Sequence, residues 1–183
     1  MKKVLIILGF IFLNFAYSQE DILEKDCIEN KKGCFFLGAI YKLHYKNYPK
    51  AAEFYKRACE LNDGDGCWGL ADLYETGKGV KMSSSMAEKL YNKACFLNSF
   101  NACFDLGALY EKGQIVSKNN FKAVELYRKA CDMNHNKGCN SLGFMYENGK
   151  GVRKDISKAL EFYGKACDLK YDIGCKNYAR LKR

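Results

Sequence analysis

From Cys34 onward the chain alternates short apolar stripes with short polar turns, and it does so on a fixed period. Adding 36 to Cys59 gives Cys95, Cys131 and Cys167; adding 36 to Cys67 gives Cys103, Cys139 and Cys175. A period of this length marks one supersecondary unit stacked on copies of itself. Two kinds of stripe alternate within it. In the first, helix A, the third position past an opening cysteine holds Leu37, Leu70, Leu106 and Leu142. The fourth holds Gly38, Ala71, Gly107 and Gly143, and the seventh Tyr41, Tyr74, Tyr110 and Tyr146. Those offsets share one face of an α-helix. The glycine at three of these four positions lowers helix propensity, so its use lies in close helix contact. In the second stripe, helix B, Ala51, Ala87, Ala123 and Ala159 stand eight residues before the closing cysteine. Tyr55, Tyr91, Tyr127 and Tyr163 stand four before it, and Ala58, Ala94, Ala130 and Ala166 directly before. Small and large residues alternate, as interlocking helices require.

Gly77, Gly79, Gly113, Gly149 and Gly151 part A from B in the later units, where a left-handed residue caps a helix. Asn62-Asp63-Gly64-Asp65-Gly66 and Asn134-His135-Asn136-Lys137-Gly138 read as turns from B to the next A. The pattern predicts an all-α solenoid of αα-hairpins. Its units run over residues 33–65, 66–101, 102–137 and 138–173, with half-unit caps at 19–32 and 174–183. The first unit is shorter and has Tyr45 to Pro49 in place of the glycine loop, as an atypical terminal repeat would.

Ahead of the repeats, residues 1–18 have the layout of a signal peptide. Lys2 and Lys3 precede an apolar run from Val4 to Leu13, and Ala16-Tyr17-Ser18 offers small residues at a cleavage site. The run is about half of the ~20 residues a membrane span needs. The expectation is a monomeric mature domain over residues 19–183, secreted or periplasmic, with no membrane anchor.

All ten cysteines follow Ser18, and an even count in an exported chain reads as a disulfide framework. They fall in couples: Cys27 and Cys34, Cys59 and Cys67, Cys95 and Cys103, Cys131 and Cys139, Cys167 and Cys175. Eight residues along one helix span ~12 Å, beyond disulfide reach. A turn between the two cysteines folds one helix back on the other, so each couple is expected to pair with itself. Structural zinc sites use ligands two to four residues apart. The wider spacing here, with only His44 and His135 to add, argues for no metal, and no motif calls for another cofactor.

Thirty Lys and Arg against 21 Asp and Glu leave a formal charge of +9. Lys56, Arg57, Lys93, Arg128, Lys129 and Lys165 lie off the apolar stripe and read as a solvated outer face. Such a chain is drawn to anionic cell-surface polymers. No clustered basic stripe of the kind nucleic acid demands is visible along the sequence, so nucleic acid is not expected as a partner.

Leu106-Gly107, Tyr110, Gly113, Ala123, Tyr127, Lys129 and Ala130-Cys131 form a pattern repeated from Leu142-Gly143 to Cys167. It resembles the Sel1-like repeat, a relative of the tetratricopeptide repeat. The paired cysteines narrow the likeness to the Helicobacter cysteine-rich protein family. The resemblance implies disulfide-clamped hairpins in a right-handed superhelix, and secretion. It also implies penicillin binding with weak β-lactamase activity, and hence β-lactams as ligands. The chain itself has no Ser-x-x-Lys, Ser-Asp-Asn or Lys-Thr-Gly element. Enzyme activity therefore rests on the resemblance alone.

Residues that break the repeat point to a surface. Positions one, five and eight past the opening cysteine of helix A form a second stripe. It holds Phe35, Trp68, Phe104 and Asn140, then Ala39, Asp72, Ala108 and Phe144, then Lys42, Glu75, Glu111 and Glu147. In related superhelices the A helices line the concave side. Trp68, Asp72, Glu75, Phe104, Glu111, Asn140 and Phe144 would then form a groove for a peptide, a protein or a peptidoglycan fragment. The competing reading packs Trp68, Phe104 and Phe144 between units and leaves the recurring glutamates as scaffold.

Overall fold

The structure is a computed structural model that describes Cys27 and residues 31–183, the side chains of residues 31 and 32 excepted. The leader expected at 1–18 and nearly all of the half-unit at 19–32 lie outside the described residues. Among the described residues the regular structure is all helical. In chain order the helices are α1 (Lys31–Leu43), α2 (Tyr48–Glu60), α3 (Gly64–Thr76), α4 (Ser84–Phe96) and α5 (Phe100–Lys112). Then come α6 (Asn120–Asp132), α7 (Asn136–Asn148), α8 (Ile156–Asp168) and α9 (Asp172–Leu181). Odd-numbered helices are the A elements and even-numbered ones the B elements. Among the described residues no helix is long and apolar enough to cross a membrane.

The step from B to the next A is closed the same way four times, and in the first three a side chain also caps the next helix. After α2, Asn62 takes a left-handed conformation (φ 59°). Its N–H then donates to the Cys59 carbonyl at 3.1 Å, and the Asp63 N–H donates to the Ala58 carbonyl at 2.9 Å. This pair of bonds is the Schellman closure, which satisfies carbonyls that the helix end would otherwise leave open. Asn98, Asn134 and Lys170 repeat it at φ 63°, 61° and 62°. The residue that completes the closure is also the N-cap of the next helix. Asp63 accepts from the backbone of Asp65 and Gly66, Ser99 from Ala102, and the His135 ring from Gly138. One helix is thus closed and the next opened within three residues.

These turns are shorter than the sequence suggested. Gly64 to Gly66 and Asn136 to Gly138, read as loop, form the first turn of α3 and α7. The N-cap side chains hold their amides in helical register, and that outweighs the loop tendency of glycine.

Four disulfides close these turns, Cys59–Cys67, Cys95–Cys103, Cys131–Cys139 and Cys167–Cys175, and a fifth joins Cys27 to Cys34 of α1; their Cα separations are 4.2 to 4.7 Å. No described cysteine is free.

Between turns, the tyrosine of the B helix lies across the small residue of the preceding A helix wherever that residue is glycine, at Gly38, Gly107 and Gly143. A Cβ on Gly143 would stand 2.8 Å from the Tyr163 ring, and one on Gly107 2.9 Å from Tyr127. The tyrosine hydroxyl then reaches the end of the A helix. Tyr91 donates to Glu75 at 2.6 Å, Tyr127 to Glu111 at 2.8 Å and Tyr163 to Glu147 at 2.7 Å. Burial, followed by these carboxylates, pushes the three phenols well above their ordinary range.

Two of the lysines assigned to a solvated face also join units. Lys93 donates to the Cys59 carbonyl at 2.8 Å and Lys129 to the Cys95 carbonyl at 2.7 Å. Each reaches past its own helix to the open C-terminal end of the B helix one unit back, where a cation is favoured. A helices of neighbouring units also touch, α1 with α3, α3 with α5 and α7 with α9, whereas no two B helices pack to a comparable extent. The A layer is therefore the closed, inner side of the curve.

Two outcomes test this account of the turn. Replacing Cys131 and Cys139 together by serine should lower unfolding free energy by ~2–3 kcal/mol, the loop-closure value for so short a ring. Denaturant melts of both proteins measure it, and an unchanged midpoint would show the turn needs no staple. Lys170→Asn should instead stabilise by up to ~1 kcal/mol, because asparagine tolerates the left-handed region better.

Candidate functional site

The inner face is a ladder of A-helix side chains joined across units. The first position past the cysteine of one unit meets the second position of the next. Trp68 Nε1 donates to Asp105 Oδ2 at 2.7 Å, and Asn177 Nδ2 donates to Asn140 Oδ1 at 2.9 Å. Near the N-terminal end, Lys42 stands where later units have glutamate, and its ammonium pairs with Asp72 at 2.6 Å. Toward the other end, Arg180 donates to Glu147 at 2.8 Å. That bond holds the Glu147 carboxyl below its usual range.

The predicted residues separate into two groups. Trp68, Asp72 and Glu75 on α3 come together with Asp105 and Lys112 of α5. Asp72, Glu75, Asp105 and Lys112 line one cleft of about 220 Å³, with Tyr91, Ala108, Leu109 and Gln114. Trp68, half-buried, holds the Asp105 side of that wall through its indole N–H. Burial raises the Asp105 carboxyl above its ordinary value, while the Trp68 N–H opposes the rise and Glu75 and Asp72 add to it. Each carboxylate uses one bond to the protein and has further lone pairs to offer. Among the described residues no set of three or more His, Cys, Asp or Glu side chains is placed to hold a metal ion.

The other predicted residues sit further along the ladder. Phe104 is half-buried, 4.8 Å from the His135 ring and 5.8 Å from that of Tyr127. Glu111 accepts from Tyr127 and lies 3.7 Å from the Lys150 ammonium. That ammonium also stands 4.5 Å over the ring of Phe144, which is 37% exposed. Asn140 is half-buried and engaged by Asn177.

Asp105 was not singled out from the sequence. It occupies the second position past the cysteine, where other units have Phe36, Gly69 and Ser141. A lone acid at a position that is otherwise apolar or small was the signal that would have found it.

The repeat geometry matches known proteins. The Sel1 repeat family pattern fits residues 32–63, 64–98, 101–135 and 136–171. Cysteine-rich protein B of Helicobacter pylori, of known structure, is 37% identical over 72% of this chain and 95% of its own, with a TM-score of 0.58. The chain belongs to the Sel1-repeat family. Within it, the paired cysteines and the likeness to HcpB join it to the Helicobacter cysteine-rich proteins. HcpD of Helicobacter pylori strain J99, which carries a beta-lactamase label, is 43% identical over 51 residues. That stretch is 28% of this chain and 17% of HcpD, so the chain spans a small part of that relative's length. The Sel1-like protein c5321 of uropathogenic Escherichia coli shares the fold at 23% identity, covering 87% of this chain and 35% of its own, with a TM-score of 0.77.

One cap of this Sel1-repeat ladder is a histidine held neutral well below its ordinary range. His135 caps α7 by accepting from the Gly138 N–H at 3.2 Å, so its ring must be neutral on that nitrogen. Phe100 and Phe104 flank the ring. Burial, then the Lys137 charge, lowers its pKa from 6.5 to about 4. Below pH 6.5 the unfolded chain takes up a proton that the folded ring refuses, so this contribution falls as pH drops toward 4. With allowance for solvent screening of a ring that is only half-buried, the loss between pH 6.5 and 5 is about 1 kcal/mol. His135→Asn keeps a capping acceptor without the titration. Melts across that range should show the wild-type protein losing stability relative to the variant as the pH falls, and parallel curves would contradict the assignment.

Proposed function

We propose that the chain is an exported, non-catalytic scaffold whose inner face binds an extended peptide or protein segment. The segment it suits carries an amine or guanidinium beside an apolar group. The observation that supports this most is the convergence of Asp72, Glu75 and Asp105 on one cleft beside Trp68. Acids outnumber cations on its wall, and the Trp68 ring supplies the aromatic anchor common in binding hot spots. The solenoid offers this cleft on a surface already shaped by the backbone, so little ordering is needed on binding. A peptidoglycan stem peptide, which joins amines to small apolar side chains, falls within the same class. Five disulfides fit an oxidising compartment. The leader read at residues 1–18 would deliver the chain there, to the periplasm or beyond, as a monomer.

The beta-lactamase label belongs to HcpD, and no feature of this inner face favours lactam chemistry. The test is a peptide array probed with the oxidised protein. Peptides with Lys or Arg next to an apolar residue should be enriched over acidic and neutral ones. The double variant Asp72→Asn with Glu75→Gln should weaken the best of them by ~1–3 kcal/mol, with little change in melting temperature. The glutamine oxygen still accepts from Tyr91, and the Lys42–Asp72 pair is a partly exposed one of small worth. Binding untouched by the double variant would remove the cleft from the account. Cephalosporin turnover above a reduced control would replace the scaffold by an enzyme.

A further inference from the structure

The face opposite in charge to the inner cleft lies at the edge where A helices turn into B helices. Three clefts adjoin there. One of about 400 Å³ includes Glu88, Tyr110, Lys118, Asn119 and Lys122. The next, about 660 Å³, shares Lys118 and Asn119 and adds Phe121 and Arg153. The third, about 530 Å³, shares Arg153 and adds Lys154, Asp155 and Lys158. Together they make a continuous track across two units. All five of its cations, Lys118, Lys122, Arg153, Lys154 and Lys158, are exposed.

The two acids on the track are already engaged. Glu88 accepts from the Tyr110 hydroxyl at 2.8 Å, and Asp155 accepts from the Lys158 backbone at 2.9 Å as the N-cap of α8. None of the five cations takes part in an ion pair among the described residues.

The fold does not require these charges. Unit by unit, Lys118 and Lys154 correspond to Met82, and Lys122 and Lys158 to Met86. The same loop and helix start are therefore built without them in the preceding unit. Phe121, 73% exposed on the wall of the middle cleft, replaces Ser85 and Ser157. A large exposed aromatic between cations is a feature with no packing role to explain it. We propose that this edge is a second binding surface, for an anionic polysaccharide. The cations would neutralise its carboxylate, sulfate or phosphate groups, and Phe121 would take the apolar face of a sugar ring.

A duplex phosphate backbone would use the cations equally well but offers the ring no apolar face, and a bilayer would favour a ring at the crest of the surface over one on a cleft wall, where Phe121 stands. The test uses the oxidised full chain and fluorescein-labelled heparin oligosaccharide as probe. The triple variant Lys118→Gln, Arg153→Gln, Lys154→Gln is compared with an equal loss of charge on the B helices, Lys56→Gln, Arg57→Gln, Lys89→Gln. The track variant should weaken binding at least about tenfold and flatten its salt dependence, because fewer counterions are released. The control variant should stay within about threefold, since removing remote exposed charges alters only the general field. Phe121→Ala should weaken heparin binding while leaving duplex DNA and phosphatidylglycerol vesicles unaffected. Equal losses in both triple variants would reduce the effect to net charge. DNA or vesicles bound as tightly as heparin, with no Phe121 effect, would overturn the polysaccharide reading, as would no measurable heparin binding at low salt.

Discussion

The structure depends on the three-residue turn from a B helix to the next A helix. A helix end must satisfy its last carbonyls and a helix start its first amides. Here a left-handed Asn does the first and the following Asp, Ser or His does the second. The disulfide then holds the two helices at one separation. With this joint fixed, a tyrosine on B can rest on a glycine of A and still reach the glutamate at the A helix end. Packing and polar satisfaction are met by the same ring. The stack therefore repeats with little adjustment, and a chain with a thin core obtains rigidity from its joints.

That repetition frees the positions that the joint does not use. On the inner face, glutamates at the eighth position accept from a tyrosine in three units, and of these Glu75 also lines the acid cleft. Residues that differ between units take on the specific roles. Lys42 in place of a glutamate pairs with Asp72, and Asp105 in place of a glycine or serine meets Trp68. The acid-lined cleft arises at the one step of the ladder where these exceptions are adjacent. On the outer edge a different set of exceptions, methionine to lysine and serine to phenylalanine, assembles the basic track. A solenoid can carry two surfaces of opposite charge because each draws on a different part of the unit.

Much of this was legible in the sequence, and the reasons it stopped are physical. The period, the A and B faces and the grouping of cysteines follow from spacing alone, because each is a property of one helix or one turn. Helix starts were misplaced at Gly64 and Asn136, since glycine and asparagine signal loops unless a cap holds them in register. Lys93 and Lys129 looked solvated because they lie off the apolar stripe, while their long side chains reach a carbonyl one unit back. Asp105 and the basic track went unseen for a shared reason. Their partners lie about one period away along the chain and become neighbours only when the units stack.

The central functional claim is that the inner face around Trp68 receives the partner. Trp68 is the chain's one tryptophan, so the indole N–H gives one resonance, and it reports directly on the bond to Asp105. Titrating the ¹⁵N-labelled, oxidised protein with a Lys-containing peptide selected on it tests the claim. The account predicts that the indole signal and the amides of α3 and α5 around Asp72, Glu75 and Asp105 move together and saturate at one affinity. An indole signal that stays fixed while amides of the B helices or of residues 117–122 shift would place binding elsewhere and contradict it.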